Sequence, residues 1–229
     1  MTKTKIKIDV VSDVVCPWCY IGKRRLEKAI AQVADQIEVE IEYHPFELNP
    51  EMPAEGRNQK EYLTKKFGSD AKYQQITSQV TATAAIEGLR FDFNKQHISP
   101  NTRNSHRLIA FAKQHGKQLE MKEALMKAYF TDGIDLTKTE NLVSIATELG
   151  LNEKSVITYL QSDEGLTEVI TEENLNIQRG ISGVPFYIIN NTYGISGAQP
   201  SEVFTEALLN ISSEVSFAGE ACEVESKDC

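Results

Sequence analysis

The sequence predicts an α/β fold in which a β-α-β half and a β-β-α half are separated by a large all-helical insertion. Residues 37–43 alternate strictly between apolar and polar side chains, as in a strand with one buried face. Residues 58–176 carry apolar side chains mostly at helical spacing, and a β-branched run returns at residues 184–190. The sheet-forming segments at both ends must pair to bury their apolar faces. The helical block is then an insertion into one α/β unit, or a subdomain packed on it.

The first half is predicted to be strand, helix, strand. Residues 6–11 form a β-branched run, and residues 20–33 have apolar side chains at helical spacing. After the alternating strand, residues 44–53 hold three prolines and an asparagine, which indicate a loop.

The helical block contains seven predicted helices and one short candidate strand. Their apolar stripes are typical of a packed core rather than of a cofactor site. The helices are residues 59–67, 71–87, 101–114, 119–131, 139–149, 152–160 and 166–179, and the candidate strand is residues 89–93.

The second half is predicted to be a hairpin followed by a helix. Asn190 and Asn191 form the turn between strands 184–190 and 192–196, and residues 201–209 form the final helix after a proline. The remaining small, polar and acidic residues are predicted to be a mobile tail. These boundaries give one domain from residues 1–57 and 177–210, a helical insertion at 58–176, and a mobile acidic tail with two cysteines at 211–229.

Composition narrows the functional class. The 229 residues include 24 basic and 33 acidic side chains, a net charge of −9 without a Lys/Arg-rich run, which argues against nucleic acid or an anionic membrane as partner. No segment approaches the roughly 18 apolar residues of a membrane span, and the N-terminus lacks the apolar core of a signal peptide. A cytoplasmic protein is expected. Four cysteines are too few for a disulfide scaffold.

Cys16-Pro17-Trp18-Cys19 lies between the first strand and the first helix. A helix start offers unpaired N–H groups and a positive dipole end, which favour a thiolate. Cys16 is therefore predicted to be an exposed nucleophile with a lowered pKa, and Cys19 the resolving thiol. Pro17 is compatible with a first helical turn. Pro17 and Trp18, which lie between the cysteines, can tune the redox potential of the pair. Asp13 could accept a proton from Cys19. We expect it instead to cap the helix or to face solvent.

Two other interpretations of the cysteine pair remain open. It could be half of a zinc site completed by Cys222 and Cys229, although six residues separate that second pair. It could also be two buried cysteines that are merely close. We expect no metal, since the four histidines, His44, His97, His106 and His115, show no ligand spacing.

Val184-Pro185 is a second candidate element, far from the cysteines in sequence. A proline at the first residue of a strand is sterically normal, and the residues alone do not predict a cis bond. Together with the cysteine motif and the helical block, Gly183-Val184-Pro185-Phe186 resembles the DsbA-like branch of the thioredoxin superfamily. Within it, residues 12–22 and 45–50 resemble FrnE-type proteins, which are related to 2-hydroxychromene-2-carboxylate isomerase and kappa-class glutathione transferase.

The resemblance covers residues 5–209 and implies a thioredoxin fold with a helical insertion. It implies that Pro185 is cis beside the cysteines and that the backbone of Val184 binds an extended substrate or glutathione. It also implies glutathione contacts at Ser196 and Gln199. His106 is a candidate substrate contact, with a plain surface histidine as the alternative.

The isomerase and transferase relatives carry serine where this chain has Cys16. The sequence therefore predicts a thiol–disulfide oxidoreductase that works through a mixed disulfide. The alternatives are a glutathione-dependent isomerase or transferase, and a cysteine-based metal-binding or redox-sensing module. Expected partners are protein or small-molecule thiols and disulfides, with glutathione as a candidate co-substrate, no bound cofactor, and a monomer or homodimer. Cys222 and Cys229 are a candidate secondary redox pair, with an idle, exposed pair of cysteines as the alternative.

Overall fold

A computed structural model describes residues 3–225 of the chain, with residues 216–225 described by their backbone alone. The strands within this range are β1 (Thr4–Ser12), β2 (Ile37–Pro45), β3 (Arg57–Asn58), β4 (Ile98–Ser99), β5 (Phe186–Ile189) and β6 (Tyr193–Ser196). The α-helices are α1 (Pro17–Val33), α2 (Gln59–Phe67), α3 (Asp70–Ile86), α4 (Arg103–Gln114), α5 (Gln118–Lys127), α6 (Thr139–Glu148), α7 (Glu153–Gln161), α8 (Leu166–Gln178) and α9 (Ser201–Glu225). A π-helical turn, Ala128–Asp132, continues α5.

Four strands form the central sheet, in the order β2-β1-β5-β6. β1 and β2 are parallel, whereas β5 is antiparallel to β1 and to β6. One core cluster joins this sheet to α1 and α9 through Ile8, Leu26, Tyr187, Phe204 and Leu208. The predicted pairing of sheet segments from both ends of the chain, and with it the thioredoxin fold, is confirmed.

A larger core cluster joins the start of α1 to the helical block. It contains both cysteines of the motif together with side chains from α3, α4, α5 and α6, among them Val80, Leu108 and Met121. The helical block therefore packs directly against the cysteine-bearing end of α1, which places the motif between the two parts of the molecule.

Most predicted elements match the structure to within a few residues, and the differences have simple causes. Residues 89–93 do not form a strand, because Leu89 and Phe91 are core residues of an irregular segment that packs against Phe130. The small sheet of β3 and β4 was not predicted, since two-residue strands are too short to show a period. Asn190 and Asn191 do form the hairpin turn, both with positive φ.

The final helix is longer than predicted. It continues past Leu209 to Glu225, so residues 210–225 are helical and the predicted tail does not begin at residue 210 or 211. Packing explains why the helix passes Leu209, because Ile211 is 4% exposed and joins the core of the sheet. None of the helices in the described range is both long and apolar enough to cross a membrane.

Candidate active site

The end of β1 and the start of α1 place the cysteine pair. Cys16 is the N-cap of α1 in an extended conformation, with φ −89° and ψ 112°, and Pro17 begins the helix. The backbone N–H of Cys19 donates to the carbonyl of Cys16 at 3.1 Å. Both cysteines are free thiols. The two sulfur-bearing residues thus lie within one turn, as a reversible disulfide requires.

The site is buried rather than open. Cys16 is 4% exposed and Cys19 is 3% exposed, so the expectation of an exposed Cys16 is wrong. The helix start would expose it in isolation, but the large core cluster and the partly buried Val184 pack against it. Trp18 is 39% exposed and Pro17 is half-buried, so the outer wall of the motif faces solvent.

The segment before β5 meets the cysteines from the opposite side. The Val184–Pro185 peptide bond is cis, which confirms what the family resemblance implied. The thiol of Cys16 donates to the carbonyl of Val184 at 3.5 Å. On the far side, the N–H of Gly197 donates to the carbonyl of Pro185 at 2.8 Å. Two segments that are 168 residues apart in sequence therefore form one site.

Gly22 permits this close approach. A Cβ atom at this position of α1 would lie 2.3 Å from the hydroxyl of Tyr187 and 3.2 Å from the ring of Pro185. A glycine is therefore required where the helix passes the cis-proline segment.

The two thiols titrate as a pair. The hydrogen bond with Cys19, followed by burial, raises the pKa of Cys16 well above its usual value. Burial alone would raise the pKa of Cys19, but the hydrogen bond with Cys16 and the positive charge of Lys122 lower it. The lowered pKa that the helix start predicted for Cys16 thus falls on Cys19 in this arrangement.

A buried polar group lies behind the cysteines. Asp13 accepts a hydrogen bond from the N–H of Leu48 at 2.8 Å, and its Oδ1 lies 3.4 Å from Nε2 of His106. Burial would raise the pKa of Asp13, but His106, the Leu48 N–H and the charge of Lys122 hold it below its usual value. Asp13 is therefore an ionised, buried carboxylate, and the expected helix-capping or solvated role is wrong.

Lys122 on α5 is the cation of this group and was not predicted. It is 1% exposed, and burial lowers its pKa to about 8 although Cys19 and Asp13 favour its charged form. A cavity of about 400 Å³ reaches Lys122 and His106 from the side of Lys113. Its position in the sequence could have indicated this burial, because Lys122 lies three residues before Leu125 on the apolar face of an amphipathic helix.

The other predicted site residues lie around this centre. Ser196 and Gln199 are exposed, and the side chain of Gln199 donates to the carbonyl of Ser196 at 2.8 Å. They flank the segment that hydrogen-bonds to Pro185, so the chain does bring them to the site. His106 is buried, which makes the surface-histidine alternative wrong, while a substrate contact stays a prediction.

The second cysteine pair is not described. Cys229 and the side chain of Cys222 lie outside the described residues, and the secondary redox role stays a prediction. In the described part of the chain, one group has the composition of a metal site: Asp9, Glu42 and His44, with ligand atoms within 4.8 Å of one another. The ammonium of Lys7 lies 3.1 Å from Asp9 and 2.9 Å from Glu42, so this group is an ion-pair network.

Comparison with known proteins agrees with this geometry. The model of the DSBA-like thioredoxin domain matches residues 7–209. The chain is 28% identical over 210 residues to YwbO of Bacillus subtilis, described as uncharacterized, covering 89% of this chain and 96% of that protein. It is 34% identical to a probable DsbA oxidoreductase of Streptomyces coelicolor of known structure, with a TM-score of 0.84 and coverage of 90% and 89% of the two chains.

More distant structures share the fold. Cytosolic disulfide reductase DsbM of Pseudomonas aeruginosa, solved with glutathione, is 17% identical with a TM-score of 0.62, covering 89% of this chain and 99% of that one. A 2-hydroxychromene-2-carboxylate isomerase is 15% identical with a TM-score of 0.64, covering 96% and 98%. The family match spans both halves of the site, the cysteine motif and the cis proline. This chain therefore belongs to the family of DSBA-like thioredoxin domains, whose general activity is thiol–disulfide oxidoreduction.

Proposed function

We propose that the protein exchanges electrons with substrate disulfides through Cys16 and Cys19. The observation that carries this proposal is the placement of two free thiols, one turn apart, against the carbonyl of Val184 and the cis Pro185. A second cysteine gives the site its own resolving thiol, so glutathione is not needed to complete the exchange.

The exchange proceeds in two steps. Cys16 passes its proton to the thiolate of Cys19 and attacks one sulfur of the substrate disulfide. A mixed disulfide forms, and the other substrate sulfur leaves as a thiolate and takes up that proton from Cys19. The thiolate of Cys19 then attacks the sulfur of Cys16 and releases the second substrate thiol. The substrate gains two electrons, and the protein ends as the Cys16–Cys19 disulfide. The reverse sequence oxidises a substrate dithiol.

Lys122 acts through Cys19. Its charge favours the Cys19 thiolate, which is the form that attacks in the second step. Since burial brings the pKa of Lys122 to about 8, this side chain can also hold a proton near neutral pH and exchange it with solvent through the cavity that it lines. Lys122 is thus a positioning residue that acts through the charge of Cys19, and it does not contact the substrate.

Substitution of Cys16 distinguishes this proposal from the glutathione-dependent isomerase. Cys16→Ser should abolish reduction of a model disulfide, with or without added glutathione. If Cys16→Ser keeps its activity when glutathione is supplied, the isomerase or transferase class is correct. Cys222→Ser is a matched control that removes one cysteine outside the motif, and it should retain the exchange.

Glutathione and small or protein thiols are the proposed partners, and a cytoplasmic location is proposed with them. The exposed segment of Ser196 and Gln199 next to Pro185 provides a backbone edge for a glutathione peptide. The reduction potential sets the direction of electron flow. A value well below the cytosolic poise of about −220 to −320 mV indicates a reductase, and a value well above it indicates an oxidase or isomerase.

A further inference from the structure

A cavity of about 400 Å³ lies between β2, α4, α5 and α8. Neither cysteine of the motif lines it, and neither does Val184 or Pro185, so it is separate from the face that carries the thiol of Cys16. Lys122 does line it, and the charge of Lys122 acts on Cys19. A molecule in this space, which we name the Lys122 cavity, would therefore act on the thiol pair through the charge of this lysine.

The ammonium of Lys122 is a buried charge without a hydrogen bond. The residue is 1% exposed, and within the described part of the chain its ammonium has neither a hydrogen-bond acceptor nor an ion-pair partner. It lies over the ring of Tyr43, 5.4 Å from the centroid. The carboxylate of Asp13 has partners of its own, the N–H of Leu48 and the ring of His106. A buried charge that is not hydrogen-bonded costs free energy, and an acceptor on a ligand would reduce that cost.

The two carboxylates in the wall of the Lys122 cavity are already paired. The carboxylate of Glu42 lies 2.9 Å from the ammonium of Lys7 and also accepts a hydrogen bond from Lys113. The carboxylate of Glu172 pairs with the imidazole of His44. These pairs offset the negative charges that would otherwise repel an anion from the cavity. The wall therefore favours a ligand with one negative charge, placed at the ammonium of the buried lysine.

Another part of the wall is apolar. Pro45, Ile109, Ala110 and Val169 contribute to it, together with the ring of Tyr43. A volume of about 400 Å³ falls in the range of small-molecule pockets, which are mainly apolar and hold a few polar groups that fix the orientation of the ligand. The lining therefore suits a compact aliphatic or alicyclic body that carries one anionic group.

We propose that the Lys122 cavity binds a small apolar carboxylate, with its charged group paired to the ammonium of Lys122 and its body against Ile109 and Val169. This site goes beyond the proposed function, because it is an effector site in which no bond is made or broken. The bound carboxylate offsets the charge that favours the Cys19 thiolate, so binding should lower the thiolate fraction. By linkage, a thiolate at Cys19 weakens the binding of the carboxylate by the same factor.

The test measures binding to the reduced full-length protein at pH 7 by titration calorimetry, which needs no disulfide exchange. The probe is cyclohexanecarboxylate, compared with its neutral amide, cyclohexanecarboxamide, and with acetate. We expect the probe to bind about tenfold more tightly than the amide, which lacks the charge, and about tenfold more tightly than acetate, which lacks the apolar body. No binding of the probe at millimolar concentration, or equal binding of either comparison compound, would overturn the inference.

Substitutions locate the site. Lys122→Met removes the charge and should weaken binding of the probe about tenfold. Lys127→Met, at an exposed lysine of the same helix, is the matched control and should stay within about twofold. Ala110→Trp fills the cavity and keeps the lysine, so it decides the question if Lys122→Met does not fold, and it should also weaken binding about tenfold. Unchanged affinity in either folded variant would contradict the proposed site.

The effect on the thiol pair is measured by the ultraviolet absorbance of the thiolate at pH 7. Saturating cyclohexanecarboxylate should lower the ratio of thiolate to thiol several-fold in wild type and leave it unchanged in Ala110→Trp. An unchanged ratio in wild type that has bound the probe would contradict the pairing with Lys122. Failure of disulfide exchange would instead overturn the proposed function and leave the binding results as they are.

Discussion

At the scale of single residues, Lys122 is the charged side chain that favours the thiolate of Cys19, next to the hydrogen bond from Cys16. That charge lowers the pKa of Cys19, so Lys122→Met should raise it. We expect the thiolate titration of the reduced protein to move upward by about one pH unit, a difference of about 1.4 kcal/mol. The ultraviolet absorbance of the thiolate measures it.

The matched control for this substitution is Lys113→Met. Lys113 is an exposed lysine at the rim of the cavity that reaches Lys122, and it should leave the titration unchanged. An unchanged titration in Lys122→Met would mean that its charge does not act on Cys19.

The same lysine also makes stability depend on pH. Its pKa in the folded state, about 8, lies below the ordinary value of 10.5, so burying the charged form costs stability below pH 8. This cost shrinks as the pH rises from 8 toward 10.5. Between pH 8 and 10.5, the free energy of unfolding of wild type should therefore rise relative to that of Lys122→Met. Urea unfolding at each pH measures this difference. A stability difference that stays constant with pH would contradict the lowered pKa of Lys122.

At the scale of secondary structure, the contact between α1 and the cis-proline segment is set by Gly22. Gly22→Ala would place a methyl group 2.3 Å from the fully buried hydroxyl of Tyr187, whose rigid ring cannot easily move. We expect a loss of about 1–3 kcal/mol in the free energy of unfolding. Gly183→Ala is the control, since its Cβ would meet no atom within 4 Å. Equal losses in both variants would show that the contact is loose.

The length of α9 gives a second test at this scale. Ile211→Ala should cost about 2 kcal/mol or more, because this side chain is buried against the sheet. Val215→Ala, four residues further along the helix and 43% exposed, should change the free energy of unfolding by less than about 0.5 kcal/mol. If Ile211→Ala is equally neutral, the helix does not pack beyond the predicted end.

The sequence predicts helices and strands well where a hydrophobic period extends over many residues. It predicts burial and pKa shifts poorly, because these depend on contacts between segments that are distant in sequence. The alternation in β2 and the apolar stripe of α5 are visible in the chain itself. The burial of Cys16 is not, because it depends on helices that are far away in sequence. The lowered pKa of Cys19 depends on the hydrogen bond with Cys16 and on the charge of Lys122, and no local pattern shows that Lys122 lies near Cys19.

At the scale of the whole molecule, two parts of the fold contribute different groups to the site. The thioredoxin-like part supplies the cysteines and the cis proline, and the helical block covers them and supplies Lys122. Activity should therefore be lost in parallel with tertiary structure during urea unfolding, rather than survive in one part alone. Coincident loss of activity and of near-ultraviolet circular dichroism would show this dependence, and activity that outlasts the tertiary signal would contradict it.

Metal content tests the remaining alternative for the whole chain. A cysteine-based metal module would carry stoichiometric zinc after anaerobic purification, held by Cys16, Cys19 and the second cysteine pair. We expect less than stoichiometric zinc and unchanged thiol reactivity after treatment with a chelator. Zinc bound by cysteine in equimolar amount would contradict the oxidoreductase proposal.

The central claim is that Cys16 attacks and Cys19 resolves. The most direct test is to incubate reduced Cys19→Ser with a model disulfide and to locate the adduct by peptide mass spectrometry. The account predicts a stable mixed disulfide on Cys16 that is absent from wild type because Cys19 removes it. No adduct on Cys16, or an adduct that persists equally in wild type, would contradict the claim.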